Sequence, residues 1–178
     1  ELANVRYFLP SVFNRGKAFG LETSVQLPEI TRLGLSAYFN YTAQRAFQYG
    51  EVIGGFSDEM PSSEPDAKNQ RMSAIFDQIH TATAGLMWRE KHSGFTANMT
   101  FEYGSGTPFP GNPRLPQHFV VNLYTAIDVF KRDTSKLSLQ FNIENLTNRV
   151  YAISKESEFT PLQFSSPRYF SSTLKFQF

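Results

Sequence analysis

The 178-residue chain contains no cysteine. That alone excludes disulfide scaffolds, thiolate metal sites and cysteine nucleophiles. Net charge is almost absent too: 17 Lys and Arg stand against 16 Asp and Glu, giving +1. A nucleic-acid binder normally carries a basic excess, and a solvating disordered chain carries a charge excess with few aromatics; neither description fits. No apolar run approaches the roughly 18–20 residues of a membrane-spanning helix, so none is expected. Nor does a basic segment followed by an apolar core open the sequence, so no signal peptide is expected within it. Helical periodicity is scarce throughout.

Aromatic residues, by contrast, are abundant: 18 Phe, 8 Tyr and 1 Trp. They recur at alternate positions. In the closing segment Phe170, Ser172, Leu174, Phe176 and Phe178 share one parity, and Tyr169, Ser171, Thr173, Lys175 and Gln177 the other. A strand imposes this period because successive side chains point to opposite faces. Leu137, Leu139, Phe141 and Ile143 repeat it against Ser138, Gln140, Asn142 and Glu144. Phe95 to Tyr103, Ala82 to Trp88, Leu35 to Tyr41 and Phe19 to Leu27 do the same.

The pattern predicts strands over about 4–9, 17–28, 32–46, 79–90, 94–105, 118–130, 136–146 and 168–178. Most exceed the five or six residues usual in a soluble protein and suit a tilted transmembrane strand, which needs about 9–11. The connections alternate in length. Residues 28–31, 90–93 and 131–135 read as short polar turns. Residues 48–78, 107–117 and 148–166 read as long irregular segments rich in Pro, Gly and Ser. Outer-membrane barrels have this asymmetry, with tight periplasmic turns and longer outer loops. The expected fold is therefore all-β, an antiparallel transmembrane β-barrel segment of about eight strands. A soluble sandwich or lipocalin-like barrel is the competing architecture.

On this reading Phe39, Trp88, Phe101, Leu123, Phe141, Leu174 and Phe176 meet lipid, with Tyr41, Tyr103, Phe170 and Phe178 nearer the ends. Glu22, Gln26, Asn98, Glu102, Asn122, Gln140, Glu144 and Arg168 are expected to face a lumen. Backbone groups in lipid must all be paired, so the sheet is expected to close or to join further strands.

Sites of covalent chemistry find little support. His80, His92 and His118 lack the spacing of a helix-borne metal site; His80 and His118 read as rim residues making loop hydrogen bonds. Gly104-Ser105-Gly106 lacks the pattern of a nucleophile elbow, and Gly54-Gly55 is not a phosphate loop. No catalytic, cofactor-binding or metal-ligating residue is expected, and the chain is not expected to be an enzyme. Mixed charge between Phe56 and Arg71, and residues at loop tips, nominate Tyr49, Phe56, Arg71, Phe109, Arg114 and Phe159 as ligand contacts.

The stretch Phe141-Asn142-Ile143-Glu144-Asn145-Leu146-Thr147-Asn148-Arg149-Val150-Tyr151 resembles the penultimate-strand motif of TonB-dependent outer-membrane receptors. Pro167-Arg168-Tyr169-Phe170 and the terminal Phe178 resemble that family's closing strand. His80-Thr81-Ala82-Thr83-Ala84-Gly85-Leu86, the run Tyr103-Gly104-Ser105-Gly106-Thr107-Pro108-Phe109, and Leu115-Pro116-Gln117-His118 follow in the family's order. The likeness covers about residues 17–178. It implies the last eight strands of a barrel of about 22 strands enclosing a plug, neither plug nor energy-coupling box being present in these residues. It also implies that the eight lumen-facing residues hold the plug, whose buried polar groups would need polar partners. The chain would be a fragment of a longer receptor or one chain of a barrel built from several. The implied function is uptake of a scarce solute (iron chelate, cobalamin, saccharide or peptide) across the bacterial outer membrane. The implied partners are outer-membrane lipid and lipopolysaccharide, the rest of the barrel and plug, a TonB-type energy-coupling complex, and the barrel-assembly machinery, which would read Phe178. A free-standing eight-stranded anchor or adhesin, or a non-transporting part of a surface assembly, is the alternative.

Overall fold

The computed structural model describes residues 11–30, 32–54, 71–109, 114–132, 134–155 and 160–178. The strand expected over 4–9 lies outside them. No helix occurs among the described residues. The strands are β1 (Ser11–Ile30), β2 (Leu35–Gly54), β3 (Met72–Ser73), β4 (His80–Arg89), β5 (Thr96–Gly104), β6 (His118–Lys131), β7 (Lys136–Glu144), β8 (Ala152–Ser154), β9 (Gln163–Phe164) and β10 (Tyr169–Gln177).

One antiparallel sheet contains all of them except the β8–β9 hairpin. Its order is β1-β2-β4-β5-β6-β7-β10, with β3 added beside β2. Each long strand thus pairs with its nearest long neighbour in sequence, the simplest way to connect antiparallel strands. β1 and β10 lie at the two edges, and among the described residues they do not pair with each other.

Cross-strand register turns the alternation into two chemically distinct faces. One row runs Val25–Phe39–Ala84–Phe101–Val121. The next runs Leu27–Ala37–Leu86–Met99–Leu123–Ile143–Phe170. On the opposite face, Gln26–Tyr38–Gly85–Thr100–Asn122 and Ser24–Asn40–Thr83–Glu102–Val120 form successive rows. No other described element covers the apolar face. Leu21 is 64% exposed and Leu174 67%, while among the described residues the buried apolar ones are only Ala46, Ala74, Leu115, Val120 and Val121. A folded domain normally packs such a face against a second layer; here the sheet supplies one layer.

The first hairpin departs from the sequence expectation. β1 and β2 stay paired from Ile30–Leu35 out to Ser11–Gly54, well beyond the predicted 17–28 and 32–46. Arg45 interrupts the alternation, and Phe47 and Tyr49 then resume it with the same parity as Phe39 and Tyr41. A bulge absorbs Gly50 and Glu51: Gly50 has φ +95°, and a Cβ there would lie 2.3 Å from Asn14 Oδ1, the acceptor of the Glu51 N–H. Pro28 falls in a second irregularity, between Leu27 and Ile30. The predicted turn at 28–31 is therefore displaced toward Gly34, and the Leu33 and Gly34 N–H groups both donate to Ile30 O. Proline lacks the ladder donor, so a bulge suits it and it need not end the strand. The long segments are less irregular than expected, since they contain the rest of β2, β3 and the β8–β9 hairpin.

Candidate functional site

At the end of the sheet that carries the long connections, loops are tied together by side chains. Asp77 has no accessible surface. Its Oδ1 accepts the Ala46 N–H at 2.7 Å, and its Oδ2 pairs with Arg114 Nη2. Arg114 Nη1 donates to the Asp77 carbonyl and, at 3.1 Å, to Gly106 O. One ion pair thus joins the segment before β4 to the segment before β6. His80 Nδ1 lies 2.8 Å from Tyr41 Oη, and its backbone N–H donates to Ser105 Oγ at 3.0 Å. His118 instead stacks flat on Tyr151 at 4.2 Å, and its buried Nδ1 finds no hydrogen-bond partner among the described residues. Burial, and to a lesser extent the Glu102 carboxylate, push the Tyr151 phenol up from its ordinary pKa.

The loop-tip candidates do not form one site. Arg71 lies over the Phe47 ring at 4.0 Å, and Tyr49 is tilted against the same ring at 6.0 Å. Phe109 lies under Lys155 Nζ at 5.0 Å. Arg114 is largely buried and committed to Asp77, which makes it a strut between loops. Phe56 and Phe159 lie outside the described residues.

The polar face gathers its candidates better. Glu22, Gln26, Asn98, Glu102, Asn122, Gln140 and Glu144 all occupy its alternate positions. Arg168 does not: it precedes β10, has the parity of Phe170, and is anchored by its backbone N–H on Asn148 Oδ1 at 2.9 Å. Asn122 Nδ2 donates to Glu102 Oε1 at 3.0 Å and Thr100 Oγ1 at 3.3 Å. Asn40 accepts from Ser24 Oγ at 2.7 Å and donates to Thr83 Oγ1 at 3.2 Å. Two adjoining depressions open on this face. The larger, about 570 Å³, is bordered by Gln26, Tyr38, Asn40, Glu102 and Tyr124. The smaller, about 280 Å³, lies among Glu102, Asn122, Tyr124, Glu144 and Tyr151. Carboxylates, carboxamides and tyrosines there offer hydrogen bonds to a polar surface, and no nucleophile–base pair is formed. No group of three or more His, Asp or Glu comes together among the described residues.

Two residues with central geometric roles escaped the sequence reading. Asp77 looked like one acid in a polar loop, and nothing in its neighbours marks it. Asn145 was visible as part of a motif, but its role was not. It is 5% exposed with φ 51°. Its N–H donates to Asn122 Oδ1, and its Nδ2 donates to Arg149 O and Ser166 O. Its Oδ1 accepts the Arg149 N–H. Asparagine tolerates the left-handed conformation better than most residues, which suits it to this turn. At the other extreme Phe178 is 97% exposed, with its ring 5.9 Å from Phe176. No family model, curated protein or solved structure matches the chain.

Proposed function

We propose that the chain is part of the outer-membrane barrel of a TonB-dependent receptor and serves energised uptake of a scarce solute. The observation that carries this reading is an uncovered apolar face backed by a continuous polar one on strands of membrane-crossing length. Phe119 and Phe130 stand near the two ends of β6. The strand between them runs about 37 Å at about 3.4 Å per residue, or about 26 Å along the membrane normal at a tilt near 45°. The apolar band of an outer-membrane barrel is about 25 Å tall. Lipid then covers what would otherwise be an exposed hydrophobic sheet, and lipopolysaccharide meets the long-connection end.

The two edges must be paired in lipid, and further strands of a larger barrel would pair them. The polar face then looks into the lumen, where Glu102, Asn122 and Glu144 offer partners to a plug. The motif around Asn145 supports the family reading and acts structurally, by fixing the exit of β7 against the start of β10. Iron chelate, cobalamin, saccharide and peptide remain the candidate solute classes, because ligand contacts would also come from the plug and other loops. No catalytic step is part of this function. The plug would be moved by the inner-membrane energy-coupling complex, and Phe178 would be read by the assembly machinery.

Labelled members of these four solute classes test the proposal in cells with and without the chain. One of them should accumulate only when both the chain and the proton-motive force are present. Equal accumulation of all four without the chain would overturn it.

A further inference from the structure

Charge on the polar face is sorted along the strands. Glu22, Glu102 and Glu144 lie toward the long connections, whereas Arg89, Lys136 and Lys175 lie toward the short turns. These three cations line a cavity of about 350 Å³ together with Asp128, Gln140 and Gln177. Among the described residues Asp128 is the only carboxylate that lines it, and it is already engaged: Lys136 Nζ lies 2.9 Å from Oδ2, and Ser138 Oγ donates to Oδ1 at 2.9 Å. Among the described residues the Arg89 guanidinium has one long ion-pair contact, 3.5 Å from Nη1 to Glu29 Oε2. No described residue forms an ion pair or hydrogen bond with the Lys175 ammonium. Lys131 stands directly opposite Lys136 in the register. Like charges facing each other across a ladder are destabilising, and the described lining of the cavity sets three cations against one carboxylate.

We propose that this cavity is an oxyanion site, taking a carboxylate or phosphate group between Arg89, Lys136 and Lys175. Arg89 brings a planar fork suited to two oxygens of one anion, and the lysines bring point charges. Gln140 and Gln177 add neutral N–H donors, which carboxylates and phosphates accept equally well. The volume suits a small anionic group or the tip of an acidic side chain and lies at the low end for ligand pockets. The inference concerns the polar face itself and does not depend on which solute, if any, the protein transports.

The test uses the protein as isolated from its membrane, in uncharged detergent at low salt, with its lysines carrying ¹³C-dimethyl labels for NMR. Inorganic phosphate and succinate are the probes. Saturable shifts are expected at Lys136 and Lys175, with Lys17 on β1 unmoved. Lys175→Gln should weaken phosphate binding roughly tenfold, the scale of one charge-assisted hydrogen bond. Lys175→Arg should retain it, which separates loss of charge from loss of fold. Equal affinity in the wild type and Lys175→Gln, or a non-saturating shift of the same size at every lysine, would overturn the proposal. Carbodiimide coupling of the membrane-isolated protein identifies the source of the anion. An amide between Lys175 and a polypeptide carboxylate places an acidic segment in the cavity. Saturable phosphate shifts at Lys175 without such a link assign the cavity to a free anion.

Discussion

Asp77 and Arg114 show what a side chain in an otherwise unremarkable loop can hold. Removing the carboxylate strands a mostly buried guanidinium, and breaking such a pair typically costs about 3–5 kcal/mol. Asp77→Ala should therefore lower the denaturant midpoint clearly while leaving the β-sheet circular-dichroism signal of the folded state in place; an unchanged midpoint would remove the latch. Gly85 permits a different contact. The Tyr38 ring lies so close that a Cβ at Gly85 would sit 2.1 Å from its Cε1. Gly85→Ala is expected to destabilise by about 1–3 kcal/mol, as overpacking does. Adding Tyr38→Ala should recover part of that loss, and a double-mutant cycle measures it.

A third prediction concerns the turn after β4. Glu90 accepts from the His92 and Ser93 N–H groups and from Ser93 Oγ, and its Oε1 lies 3.0 Å from His92 Nδ1. The Ser93 hydroxyl and N–H chiefly hold its pKa down at about 2, against an ordinary 4.5. A lowered carboxyl pKa stabilises the folded state above the unfolded value. The contribution of Glu90 should thus be complete above pH 4.5 and fade as the pH falls toward 2. Carboxyl ¹³C titration should give a midpoint near the lower value; a midpoint near 4.5 would contradict the geometry.

At the scale of elements, alternation made most of the sheet legible. β4 to β7 and β10 lie within a residue or two of their expected limits, because apolar and polar residues alternate along most of each. The far half of the first hairpin was not legible. Its pairing resumes beyond a bulge at Gly50 and Glu51 that the Asn14 side chain helps to hold, and Pro28 resembles a turn until the second bulge is seen. The candidate site was legible in part for the same reason. Parity put seven polar candidates on one face, but it cannot reveal that Arg114 reaches back to Asp77 or that His118 finds the Tyr151 ring. Asn145 joins the two scales. Asn145→Ala should cost about 3 kcal/mol, from lost buried hydrogen bonds and the left-handed backbone. Asn145→Gly should cost less, because only the backbone penalty is relieved. Unfolding midpoints of the two variants check the order.

For the whole molecule, the unanswered demand is cover for the apolar face and for the two edges. On the proposed reading, lipid and further strands would meet both demands together. Trp88 lies on that face, 43% exposed, with its ring edge-on to Phe95 at 5.9 Å. Its fluorescence should be quenched by brominated lipids if the face meets the bilayer. The most direct measurement is the intact mass of the polypeptide purified from the envelope of its native cells without added protease. A mass several-fold above the 20.3 kDa of this chain, or this chain together with a larger barrel subunit, is the expected result. A lone 20.3 kDa polypeptide, with no other barrel chain, would contradict membership of a larger barrel and leave a self-closed eight-stranded ring.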